Sequence, residues 1–153
     1  MRAVGVWRGG YRTRLEDGRG HEVLVDLPRA ERGTDAGTTA LELCVASLAG
    51  CISTIFALVA EKRHLPYEGL TVTLVGERPE GAATLTAIEG TVHVTTSAPR
   101  EDVETALRLA LRTCPVGVLM ERAGLPIRIR TSIGLPARAP APPSRRKSGP
   151  GRI

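Results

Sequence analysis

The chain has 153 residues, enough for one domain with its own core and no need of disulfide staples. Hydrophobic residues make up 42% and aromatic ones only 3%, so the core must be built from Val, Leu, Ile and Ala. Residues 135–153 hold five of the 21 basic residues, none of the 16 acidic ones and five of the 11 prolines, so the net charge of +5 belongs to a tail and the body is formally neutral.

The first 28 residues read as strands and turns. Val4 and Val6 alternate toward one face, and GGYRTRL starts at a Gly-Gly turn. EDGRG is a hairpin signal with Asp17-Gly18 in the turn, and HEVLVDLP is its returning strand, with Val23, Val25 and Leu27 on one face. Residues 29–37 form a polar loop. Thr39 and Glu42 make a T-x-x-E capping box, which starts a helix expected from about Ala40 to about Arg63. Lys62, Arg63 and His64 suit its C-terminus, and Pro66 blocks continuation. Leu41, Leu43, Val45, Leu48, Ile52, Ile55, Phe56, Leu58 and Val59 make it apolar all round, the pattern of a buried helix, covered by a sheet on one side and by other helices, or a second subunit, on the other.

Strands resume at GLTVTLVGER, with Leu70, Val72 and Leu74 alternating against threonines. After the turn PEGA comes ATLTAIEGTVHVTTS, with Ile88, Val92 and Val94, and the two form a long antiparallel pair. A helix starting at Ser97 or Pro99 buries Val103, Ala106, Leu107, Ala110 and Leu111. A short helix follows with Pro115 in its first turn. The last strand, PIRIRTSIG, turns Ile127 and Ile129 inward and Arg128 and Arg130 outward. Strands in blocks indicate an α+β fold with an antiparallel-dominated sheet. We read residues 1–134 as the domain and 135–153 as a disordered, basic, proline-rich tail with little to bury. Its Arg145-Arg146-Lys147 run is read as solvated. A nucleic-acid partner is not expected, because the body lacks a basic patch and has few aromatics for stacking.

No apolar run reaches the ~18 residues of a membrane span, so no membrane partner is expected. The start of the chain lacks the layout of an export signal. Three cysteines cannot all pair within one chain, which fits a reducing, cytoplasmic compartment. Cys44 and Cys51 are seven apart, ~10.5 Å along a helix, beyond the ~7 Å Cα separation a disulfide allows. Any internal disulfide must therefore involve Cys114. Cys44 is read as a packing residue. The small residues Ala46, Ser47, Ala49 and Gly50 leave room beside Cys51. Cys114 sits at a helix start, where the positive helix end favours a thiolate. The three histidines, His21, His64 and His93, have no ligand-like spacing and are expected to be exposed, and no metal or bound cofactor is expected.

ALELCVASLAGCIST followed by TCPVGVL, together with the N-terminal WRGG and the helix ending AEKRHLPYEGL, resembles the OsmC/Ohr family over about residues 3–134. The resemblance implies an intertwined homodimer with long helices buried centrally between two sheets and active sites at the subunit interface. It also implies a thiol peroxidase acting on organic hydroperoxides. Cys51 would attack the O–O bond and become a sulfenic acid, Cys114 would resolve it to a disulfide, and a lipoyl-type dithiol would restore both. An arginine just after the Gly-Gly turn would hold the thiolate. Here Tyr11 occupies that place, so Arg12 is the candidate, with Arg8 and Arg14 as rivals. The family's glutamate ten residues before the cysteine is replaced by Leu41. Glu42, the nearest acid, lies about 180° from Cys51 on a straight helix and is already accounted for by the cap, yet it is kept as a candidate. The alternative is an OsmC-fold protein without peroxidase activity that binds a small apolar ligand or senses thiol oxidants.

Overall fold

A computed structural model describes residues 1–134; the proline-rich tail lies outside the described residues. The chain runs β1 (Val4–Trp7), β2 (Thr13–Glu16), β3 (Glu22–Val25), a 3-10 turn (Arg29–Glu31), α1 (Ala40–Lys62), β4 (Gly69–Glu77), β5 (Ala87–Thr95), α2 (Arg100–Thr113), α3 (Pro115–Arg122) and β6 (Ile127–Ile133). It is an α+β fold. The strands form two three-stranded sheets, β1-β2-β3 and β4-β5-β6.

The first sheet is wholly antiparallel. Its second turn is organised by Asp17, which accepts from the backbone N–H groups of Arg19 and His21 while its carboxylate meets both side chains. The His21 ring, then the Arg19 backbone, hold that carboxyl well below the usual range. In the second sheet β4 and β5 pair antiparallel over their full length, and β6 joins β5 in parallel. Parallel neighbours need a long crossover, and α2 with α3 supplies it. Leu74 lies opposite Gly90 in that ladder. A Cβ on Gly90 would come within 2.1 Å of the Thr73 carbonyl oxygen and 2.6 Å of Leu74, so only glycine fits.

The segment between β3 and α1 is tied down by Asp26, which is 1% exposed. Its Oδ2 accepts from the Thr34 hydroxyl and from the backbone N–H groups of Thr34 and Ala36. The Thr34 hydroxyl is the main reason its carboxyl is pulled down to about 2. α1 then starts as expected. Thr39 accepts from Glu42 N–H, and the Glu42 carboxylate accepts from Thr39 N–H at 2.7 Å.

α1 packs against β4, α2 and α3. Leu48, Ile52, Phe56 and Ala60, spaced four apart, form its buried stripe, which meets Val103, Ala106, Leu107 and Ala110 of α2 and Ile88, Val92 and Val94 of β5 in one core. Phe56 is fully buried and stands edge-on to Tyr67, with ring centroids 5.4 Å apart.

One expectation about α1 needs correction. Contrary to the expectation that no apolar run reaches the length of a membrane span, α1 is long and apolar enough for one by length and composition. Its capped start and its packing against three other elements give it a core role. Within this single chain α1 is covered only in part. Only 22% of its most apolar 18-residue window is buried within the chain, and Leu58 is 48% exposed. The reason is that one chain supplies cover on one side only. Among the described residues β1, β2 and β3 make no extensive contact with the helices or the second sheet. That leaves Trp7 71% exposed on the apolar face it shares with Leu15, Val23 and Val25.

Candidate active site: two facing thiols

Cys51 sits mid-way along α1, half-buried, one residue from the core position Ile52. Cys114 lies between two helices. Pro115 disfavours a helical conformation in the residue before it, so α2 stops at Thr113 and Cys114 is extended, at φ −66° and ψ 110°. Pro115 then opens α3, where its missing N–H costs nothing. This break turns the Cys114 side chain into the core, where it is 1% exposed.

There Cys114 Sγ accepts from Gly117 N–H at 3.4 Å, acting as the N-cap of α3, and Cys51, packed against the same core cluster, is close enough to perturb its thiol. The structure thus brings together two cysteines 63 positions apart, both as free thiols. Burial first, and the contact with Cys51 second, push the Cys114 thiol up to about 11, against the pull of the Gly117 and Val116 N–H groups. The helix-start effect expected from sequence is present but outweighed by desolvation. Cys114 is therefore a protonated thiol near neutral pH, and the more exposed Cys51 is the sulfur an oxidant in solution reaches first.

This has a consequence for stability. The unfolded chain's thiol loses its proton near 9 and the folded one only near 11. Over that window the unfolded state binds fewer protons, so stability falls as pH rises. Reduced protein is expected to lose up to roughly 2–3 kcal/mol between these limits beyond what Cys114→Ser loses, since serine has no proton to give up there. Urea unfolding of the two proteins at matched pH checks this.

The remaining candidates are placed elsewhere. Glu42 is held in the α1 cap by Thr39 and by the Thr38 hydroxyl, and these bonds lower its carboxyl. Nine residues of helix separate it from Cys51, and the structure does not bring it to the thiols. Arg12 lies in the β1–β2 turn, exposed and without an ion pair among the described residues; its guanidinium passes near the Gly9 turn. Arg8 is exposed in the same turn. Arg14 is committed to Glu16 and Glu22 within the sheet.

Cys44 is exposed, not packed as expected. It continues the Leu48 stripe by one more turn, but α3 reaches that stripe at Leu48, beside Gly117, and leaves Cys44 uncovered. Gly50 has nothing within 4 Å of the place a Cβ would take, so its smallness is unused within one chain. Ala46 and Ala49 line a groove instead. His21 and His64 are exposed, whereas His93, mid-way along the central strand β5, is half-buried with Nδ1 3.0 Å from Ser132 Oγ. Among the described residues no group of three His, Cys, Asp or Glu side chains is placed to hold a metal ion.

Two cavities flank α1. A groove of about 720 Å³ runs between its first half, β4 and the segment after β3; Leu27, Leu41, Val45, Leu74 and Leu85 line it, with Arg78 and Glu42 among its polar groups. A pocket of about 210 Å³ opens beside Cys114 and is lined also by Gly117 and Glu121. Glu121 is an ionisable residue that sequence reasoning did not single out; its spacing of seven from Cys114 was the available signal.

A family model described as OsmC-like protein matches residues 33–130. No curated protein matches the chain. Among solved structures, the fold is similar to an OsmC like protein from Mycoplasma pneumoniae, with a TM-score of 0.78 at 16% identity, covering 88% of this chain and 96% of that one. It is similar to an organic hydroperoxide resistance protein OsmC from Legionella pneumophila, with a TM-score of 0.68 at 19% identity, covering 88% and 98%. It also resembles the organic hydroperoxide resistance protein OhrB of Bacillus subtilis, with a TM-score of 0.61 at 19% identity, covering 86% and 96%.

Proposed function

Since the chain belongs to the OsmC-like protein family, we propose that it is a thiol peroxidase that reduces organic hydroperoxides through Cys51 and Cys114. The observation that carries this reading is the placing of Cys51 beside Cys114 on one core cluster, one thiol reachable and one buried. The names of the Legionella and Bacillus proteins of the same fold support the substrate class.

The Cys51 thiolate attacks the terminal peroxide oxygen, and the O–O bond breaks. The alcohol leaves with a proton, and Cys51 carries the sulfenic acid. Cys114 then attacks that sulfur, forming the S–S bond and releasing water. A dithiol, in this reading of lipoyl type, reduces the disulfide by two thiol exchanges and is itself oxidised to a disulfide. This cycle suits a reducing, cytoplasmic setting.

The working form in this reading is a homodimer. A second copy would cover the open side of α1 and the apolar face around Trp7, which the chain leaves bare. Arg12, on a sheet that stands away from its own α1, would then serve the thiol pair of the second copy. A second reading, an OsmC-fold protein without peroxidase activity that holds a small apolar ligand or senses oxidants, is favoured by Leu41 lining the larger groove.

The test is thiol chemistry. Cys44 and Cys51 share one stretch without Lys or Arg, from Gly33 to Glu61, so tryptic peptides cannot separate them. A Cys44→Ser background makes the sulfurs unambiguous. One equivalent of cumene hydroperoxide is expected to consume both remaining thiols and give a Cys51–Cys114 disulfide by mass spectrometry. Full alkylation of both thiols after treatment would refute the peroxidase reading and favour the second one.

A further inference from the structure

Building on the thiol-peroxidase reading, we propose that Glu121 is the proton acceptor for Cys114 when the disulfide closes, acting through water in the pocket the two residues share. Cys114, Gly117 and Glu121 are spaced three and four apart along one face of α3. Helical side chains lean toward the N-terminus, so Glu121 leans back toward Gly117 and Cys114. All three line the 210 Å³ pocket, which has space for several waters. Gly117 borders the thiol directly: a Cβ there would stand in ordinary contact, 3.5 Å from Cys114 Cβ and 3.6 Å from its Sγ.

The rest of the wall is Leu48 and Ile52 from α1, Leu111 from α2, and Ile127 and Ile129 from β6, none of them titratable. Cys51 of α1 is the other ionisable neighbour of Cys114, and it is the sulfur under attack. Among the described residues Glu121 has no ion pair, so its carboxylate is uncommitted. Cys114 is 1% exposed and cannot hand its proton straight to bulk water. The Cys114 thiol must nonetheless lose that proton as it becomes a nucleophile. In the closing step the Cys114 S–H bond breaks and its proton passes through pocket water to Glu121. The S–S bond forms as the S–O bond of the Cys51 sulfenic acid breaks. The leaving hydroxide takes a proton from solvent and departs as water, and Glu121 later returns its proton to solvent.

The experiment follows both steps in full-length Cys44→Ser protein after rapid mixing with one equivalent of cumene hydroperoxide. Dimedone trapping reports the sulfenic acid, and mass spectrometry of quenched samples reports the disulfide. Adding Glu121→Gln is expected to leave sulfenic acid formation unchanged and to slow closure about 10²-fold. The fall-off of the closure rate on the acid side is expected to disappear with it, and Glu121→Asp is expected to lie between. Equal closure rates and pH profiles with and without Glu121→Gln would overturn the proposal, as would equal slowing of both steps. If the parent protein forms neither species, the peroxidase reading itself fails and the role of Glu121 falls with it.

Discussion

Cys51→Ser protein is expected to reduce cumene hydroperoxide, with a dithiol present, at least ~10³-fold more slowly than wild type, a barrier difference of about 4 kcal/mol. The substitution is nearly isosteric, so the fold should persist. What it removes is the nucleophile: a thiol is a few per cent ionised near neutral pH and strongly nucleophilic, whereas a serine hydroxyl without an adjacent base is neither. No histidine is placed near Cys51 to activate a serine in its stead; His21 and His64 are exposed elsewhere, and His93 bonds Ser132. Cys114→Ser should behave differently. One equivalent of peroxide should still oxidise Cys51, and the sulfenic acid, with no resolving thiol, should persist long enough for dimedone to capture it in stoichiometric yield. Turnover with dithiol should fall while the first oxidation keeps its rate. A Cys51→Ser protein with wild-type turnover would remove Cys51 from the chemistry altogether. The opposite assignment, with Cys114 attacking first, predicts that Cys114→Ser abolishes the initial oxidation, and its burial argues against that.

Phe56→Ala is expected to cost about 3–5 kcal/mol, the largest stability loss from a single side chain in this core. Phe56 is fully buried and is the chain's only phenylalanine. With aromatics at 3%, there is little bulk nearby to collapse into the space it would leave. It belongs to the stripe that joins α1 to the rest of the core, and it also loses the edge contact with Tyr67. Against a total stability of ~5–15 kcal/mol for a domain, the variant should melt roughly 10–20 °C lower. Thr39→Ala provides the scale. It removes one half of the capping box and should cost ~1 kcal/mol. A Phe56→Ala loss no greater than that of Thr39→Ala would mean the cavity refills, contrary to the packing described.

The local signals in the sequence were reliable where neighbours along the chain decide the structure. The Thr39–Glu42 box, the Asp17-Gly18 turn, the pair β4–β5 and Pro115 opening α3 all depend on contacts within a few residues or one hairpin. The parallel placing of β6 beside β5 was not legible, because it depends on how α2 and α3 fold back. Cys44 was misjudged for a related reason. Helical periodicity shows that it shares a face with Leu48 but not where the covering helix stops. Glu121 went unremarked because its interest lies in the pocket beside Cys114, which no local pattern announces.

By itself, then, the sequence determined the element order, the α+β class and the two cysteines worth watching, since these follow from periodicity, turn chemistry and a motif. The tertiary structure alone decided that Cys114 comes to lie beside Cys51, that Cys114 is desolvated enough to stay protonated, and that Glu42 is engaged in the helix cap and Arg14 within the first sheet. Those outcomes depend on burial and on distances between segments remote in sequence. Both arise only when α2 and α3 pack against α1, and a linear pattern does not encode the dielectric or the geometry of that contact.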